Sequence, residues 1–152
     1  MSKLVIMVGL PGSGKSTYTA KYETQNRTTI VSTDEIRREL YGNAATQGTA
    51  QDVFNEAYRR IEIALRAGDT MVFDATNLKA RNRKYLCNRF RPIADTIVAE
   101  YMAVSVDECI ARDDHRSRTV GAEVIQCMAK SMSEPRLDEG FDLVHTVGKM
   151  RA

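Results

Sequence analysis

Gly9-Leu10-Pro11-Gly12-Ser13-Gly14-Lys15-Ser16 stands between the apolar run Leu4-Val5-Ile6-Met7-Val8 and a helical pattern that opens at Lys15. The octapeptide fits Gly-x-x-x-x-Gly-Lys-Ser at every required position, and the strand before it and helix after it are the context that gives this motif meaning. The spacing has a chemical reason. Gly12 and Gly14 let the backbone turn without a Cβ, so that successive N–H groups point inward at phosphate oxygens. The helix beginning at Lys15 adds the positive end of its dipole. Lys15 then reaches the β and γ phosphates of a nucleoside triphosphate, and the Ser16 hydroxyl is a ligand for Mg²⁺.

Outward from this turn, short apolar runs alternate with longer helical patterns, the signature of an α/β domain. Strands are expected at residues 3 to 8, 29 to 32, 70 to 73, 96 to 104 and 142 to 147, and the first has the unbroken apolar character of a strand buried on both faces. Helices are expected from Lys15 to Glu23, Glu35 to Tyr41, Ala50 to Ala67, Lys79 to Phe90, Val106 to Arg116 and Ala122 to Met132. In the third of these, Val53, Ala57, Ile61, Ala64 and Leu65 make one apolar stripe. Gly42 and Gly68 stand where a left-handed residue closes a last turn, and Ser32 with Glu35 matches a capping box.

The composition sets limits. The 152 residues suit one domain, and 43% hydrophobic against 28% charged residues is the balance of a globule rather than a disordered chain. Apolar runs reach about five residues, far short of the roughly 18 to 20 that cross a bilayer. The opening run lacks the features of a secretion signal. Three cysteines, Cys87, Cys109 and Cys127, without a Cys-x-x-Cys pair, argue against a zinc site or disulfide framework. They fit free thiols in a reducing cytoplasm, as small fillers on helices. Net charge is only +2, so attraction to polyanions must come from local clusters.

Ligands of open α/β sheets sit beyond the carboxyl ends of the strands. Asp34 follows the second strand and Asp74 ends the third, where two carboxylates could divide the organising of Mg²⁺ and the taking of a hydroxyl proton. Arg37, three residues after Asp34, shares its helix face. The alternative is an acidic first-turn residue beside a solvated surface charge.

Gly9 to Ser16, Ser32-Thr33-Asp34-Glu35-Ile36-Arg37, Val72-Phe73-Asp74-Ala75-Thr76-Asn77 and Arg112-Asp113-Asp114-His115-Arg116 resemble the successive motifs of the 5′-hydroxyl polynucleotide kinases of phage and bacterial end-repair systems, over about residues 3 to 147. The resemblance implies a P-loop kinase three-layer sandwich with a five-stranded parallel sheet in the order 2-3-1-4-5 and a helical lid at about 112 to 121. It implies transfer of the ATP γ-phosphate, with Mg²⁺, to the 5′-OH end of DNA or RNA. Gly9, Pro11, Gly12, Ser13, Gly14, Lys15, Ser16 and Thr17 would hold the nucleotide, with Arg112 and Arg116 as lid arginines. Asp34 would be the general base, Arg37 the grip on the acceptor's phosphate, and Asp74 the residue orienting the acceptor side. Many relatives carry a following phosphatase domain with an Asp-x-Asp motif, which this sequence lacks. The adenine is expected near residues 131 to 135, with Met128 or Met132 against it or in the core.

Residues 79 to 91 hold Lys79, Arg81, Arg83, Lys84, Arg89 and Arg91 with no acidic residue. Tyr85, Leu86 and Phe90 are expected to face the core and leave the cations, with Arg37 and Arg38, to line a nucleic-acid path; an ordinary solvated face is the alternative. Two other functions stay open on the residues alone: a kinase of the same architecture for a sugar, nucleotide or nucleotide sugar, and a nucleotide-dependent switch ATPase.

Overall fold

The computed structural model describes residues 1–42, 50–115 and 120–148. Five strands form one parallel sheet in the order β2-β3-β1-β4-β5: β1 (Lys3–Val8), β2 (Thr28–Ser32), β3 (Thr70–Asp74), β4 (Thr96–Met102) and β5 (Leu143–Val147). This is the expected order. β1 lies between β3 and β4, with Ile6 opposite Phe73 and Val8 opposite Tyr101. Ser32 of β2 pairs with Asp74 of β3, so the chain leaving β2 and the end of β3 open on one edge.

The described helices are α1 (Lys15–Thr19), α2 (Thr33–Tyr41), α3 (Ala50–Arg66), α4 (Ala80–Phe90), α5 (Val106–Asp114) and α6 (Ala122–Ser131). None among the described residues is long and apolar enough to cross a membrane. The pleat splits β1 between two layers. Leu4, Ile6 and Val8 face α3 and α4 with Phe73, Leu65 and Phe90, while Val5 and Met7 face Tyr22 and Met102 on the other side. A third cluster, Leu10, Leu78, Cys109 and Ile125, joins the phosphate loop to α5 and α6. All five residues of the α3 stripe are buried, and Gly42 and Gly68 take positive φ where their helices end.

Several local expectations are corrected. The first helix does not run to Glu23 as α-helix but tightens into a 3₁₀ turn at Ala20–Tyr22; Thr19 Oγ1 donates to Ser16 O at 2.9 Å and competes for that carbonyl. The capping box is half made. Glu35 N donates to Ser32 Oγ, but the Glu35 carboxylate pairs with Arg38 instead of reaching back. β4 ends at Met102, β5 starts at Leu143, and of the cysteines Cys127 is exposed.

α4 departs most from its expectation. Arg83 is 0% exposed, whereas Tyr85 is 48% exposed. The buried residues Arg83, Leu86, Cys87 and Phe90 recur at i, i+3, i+4 and i+7, so the inward face is set by helical spacing and a guanidinium occupies its first position. It is tolerated there because every nitrogen is engaged. Nε and NH2 donate to the Glu139 carboxylate, NH1 to the carbonyls of Asn77 and Leu78, and NH2 also to Ser133 Oγ and Glu134 O.

Candidate active site

The phosphate loop leaves β1 and closes on itself. Gly12 and Gly14 have φ of +82° and +93°, which only glycine adopts without strain, and a Cβ on Gly12 would collide with the Cys109 carbonyl oxygen of α5. The turn is anchored behind by the segment that follows β3: Gly9 N donates to Thr76 O, and Asn77 Nδ2 donates to Met7 O at 2.8 Å. Asn77 itself sits at φ +46°, a conformation asparagine tolerates better than most residues. Lys15 Nζ spans the loop, donating to Gly9 O and Leu10 O at 3.0 Å each. Ser13 Oγ is buried and without a hydrogen-bond partner among the described residues, the orphaned polar atom expected of a loop shaped for an anion.

Above the loop lies a cavity of about 1450 Å³ along the carboxyl ends of the strands. Pro11 through Thr17, Asp34, Arg37, Asp74 and Arg112 all line it; Gly9 stays beneath, contributing its carbonyl to Lys15. Asp34 lies in the first turn of α2, and Arg37 NH1 donates to its Oδ1 at 3.1 Å, so the expected pair is formed on one helix face. Asp74 is half-buried. Desolvation is the chief cause that raises its carboxyl above the ordinary range, aided by Asp34 and opposed by Lys15 and by a hydrogen bond from Ser16. Asp74 thus interacts with Ser16 and Lys15 of the phosphate loop as well as with Asp34 of α2. A hydroxyl and a carboxylate are the hard oxygen donors that suit Mg²⁺, which keeps several waters and phosphate oxygens for itself. No larger His, Cys, Asp or Glu cluster suited to a metal occurs among the described residues.

Arg112 NH1 donates to Ser13 O at 3.2 Å and Nε lies 3.6 Å from Glu108, which sets α5 against the phosphate loop. Arg116 and Arg118, within the lid expected at about 112 to 121, lie outside the described residues. Their neighbour Asp113 carries a function its sequence position concealed. Fully buried, it accepts from Val120 N and Gly121 N at 2.9 to 3.0 Å, fastening α5 to the start of α6. On the expected adenine side, Met128 lines the cavity and packs with Met132 in the third cluster, while Ser133 N donates to Leu78 O.

Behind α1, Glu100 of β4 is buried where the Tyr18 and Tyr22 hydroxyls donate to it at 2.6 and 3.0 Å and His145 Nδ1 lies at 2.6 Å. Burial and this carboxylate push both phenols above their ordinary pKa. The cluster is remote in sequence, drawn from α1, the 3₁₀ turn, β4 and β5, and no local pattern announces it.

The AAA_33 family model, described as an AAA domain, matches residues 4–135. Among solved structures, a chain of the Pnkp1/Rnl/Hen1 RNA repair complex superposes with a TM-score of 0.70 at 22% identity, covering 86% of this chain and 43% of that one. A gluconokinase from Sinorhizobium meliloti 1021 gives 0.65 at 18% identity, covering 95% and 81%. Kti12 of Chaetomium thermophilum, in complex with ADP-AlF3, gives 0.65 at 16% identity, covering 95% and 88%. At these identities the likeness establishes the P-loop kinase fold. The chain spans less than half the length of the RNA-repair chain.

Proposed function

The chain belongs to the AAA_33 family, and from that premise we propose that it is an ATP-dependent kinase for the 5′-hydroxyl end of a DNA or RNA strand. The observation that carries this reading is the Asp34–Arg37 pair, held on the wall of the cavity that also contains the phosphate loop and Asp74. A switch ATPase needs no hydroxyl acceptor's base and no cationic grip beside it; a kinase for a phosphate-bearing alcohol needs both.

In this mechanism the N–H groups of the Gly12 to Ser16 turn and Lys15 bind the β and γ phosphates, and Arg112 closes from α5. Ser16 and Asp74 would hold Mg²⁺, which when bound draws charge from the phosphates. The acceptor's 5′-oxygen forms a bond to the γ-phosphorus in line with the breaking bond to the β–γ bridging oxygen. Asp34 takes the hydroxyl proton, and ADP departs with the bridging oxygen. Arg37 holds the phosphate that follows the terminal nucleoside. The RNA-repair likeness supports a nucleic-acid acceptor; the size of the cavity and the exposed cations at Lys79, Arg81, Lys84 and Arg89 agree with it.

The test uses γ-labelled ATP and Mg²⁺ with a 5′-OH oligonucleotide, a 5′-phosphate oligonucleotide and a panel of small alcohols including gluconate. Label confined to the 5′-OH oligonucleotide is expected. Label on a small alcohol, or phosphate release without any acceptor, would overturn the reading. Asp34→Asn is expected to lower turnover by about 10² to 10⁴ with ATP binding preserved.

A further inference from the structure

Among the aromatic rings that line the cavity, three from two helices pack in a row, and one of these is placed against the logic of its own helix. Phe54 and Tyr58 come from α3 and Tyr85 from α4. Tyr58 lies 6.1 Å from Phe54 and 5.8 Å from Tyr85 between ring centroids. Tyr85 is off the buried stripe of α4, yet it is not free to swing. Arg89 NH1 donates to its hydroxyl at 2.8 Å, and the same guanidinium sits 4.9 Å over the Tyr58 ring. One cation thus braces two phenols at the cavity wall. A half-exposed ring held rigid in a cleft is a surface for something flat.

What that object carries is indicated by the charges around it. Lys79, Arg81, Lys84 and Arg89 are exposed on or beside α4, no acidic residue interrupts residues 79 to 91, and Arg37 lines the same cavity. A flat group joined to repeated negative charge is a nucleotide in a strand. Resting on the kinase reading above, we propose that Tyr85, braced by Arg89 and Tyr58, is the platform on which the 5′-terminal base of the acceptor strand stacks. Every base has a π-face, so this site reads the presence of a base and not its identity.

The experiment compares two oligonucleotides that share a 5′-OH and an identical following phosphate, one ending in a normal nucleotide and the other in an abasic tetrahydrofuran residue. The parent protein is expected to show a KM about 5- to 100-fold lower for the base-bearing end. Tyr85→Ala is expected to erase that preference, Tyr85→Phe to keep it, and neither to alter the KM for ATP. Tyr85 is half-exposed, so both variants are expected to melt within a few degrees of the parent. Equal KM values for the two ends in the parent, or a preference that survives Tyr85→Ala, would overturn the platform while leaving the kinase reading intact. No label on either oligonucleotide would overturn both together.

Discussion

Arg83→Met removes the guanidinium but keeps most of the side-chain stem, and what it leaves behind can be worked out atom by atom. The Glu139 carboxylate loses two bonds of 2.7 and 3.0 Å, and the carbonyls of Asn77 and Leu78 lose bonds of 2.9 and 2.8 Å, all in the interior. Stranding one member of a buried ion pair costs about 3–5 kcal/mol, a large share of the roughly 5–15 kcal/mol that holds a domain together. With a urea m-value of about 2 kcal/mol per molar, the unfolding midpoint should fall by about 2 M. The chain has no tryptophan, so far-UV circular dichroism is the suitable signal. The companion variant Arg83→Met/Glu139→Leu replaces the pair by apolar side chains and is expected to recover at least about 2 kcal/mol of the single variant's loss. A midpoint shift under about 0.5 M for Arg83→Met, or a double variant as weak as the sum of the two single ones, would refute the assignment of Arg83 as a buried, paired hub.

Asp74 should show the opposite sign. Its folded pKa is raised, so the fold penalises the ionised form at neutral pH and not below the ordinary carboxyl value. Asp74→Asn is therefore expected to melt at or above the parent's temperature at pH 7, the difference closing in acid, while turnover drops by on the order of 10² or more. Asp142 is the reverse case, lowered first by its bond from Ile97 N and then by Arg91. Its contribution to stability is present above pH 3.8 and lost as pH falls through the lower folded value. Thermal midpoints of the parent and Asp142→Asn should differ by a constant amount from neutral pH down to about 5 and converge in stronger acid. Asp113→Ala leaves Val120 N and Gly121 N without their acceptor and should cost about 2–3 kcal/mol in urea; ATP titration is expected to show weaker binding, because Asp113 adjoins Arg112 and fastens the end of α5 to the start of α6.

The parts of this molecule that could be read from the chain are those whose physics is local. β1 is a run of apolar residues because both its faces are covered, and the phosphate loop is contiguous because one turn must supply all the N–H groups. Asp34 and Arg37 share a face by spacing alone. Arg83 was equally open to the same spacing argument, three and four residues before Leu86 and Cys87, but its charge pointed outward while the stripe pointed in. Placing Tyr85 in the core was the converse error, an aromatic ring assigned by type when it lay off the stripe. Asp113 and Glu100 had no readable signal. The partners of Glu100 (Tyr18, Tyr22 and His145) lie 45 to 82 residues away and are brought to it by crossovers that no short window contains. Val120 and Gly121 lie only seven and eight residues from Asp113 but bind it through backbone N–H groups, which leave no mark in the sequence.

The phosphate loop grows out of β1, which has neighbours on both sides and five of its six residues buried. The sheet's rims are β2 and β5, where most positions are partly or fully solvated. Thermal fraying begins at such rims and reaches the middle last. The nucleotide's seat is accordingly rooted in the slowest-opening part of the molecule, and a chain that has transiently lost a marginal strand still keeps its anchorage for phosphate.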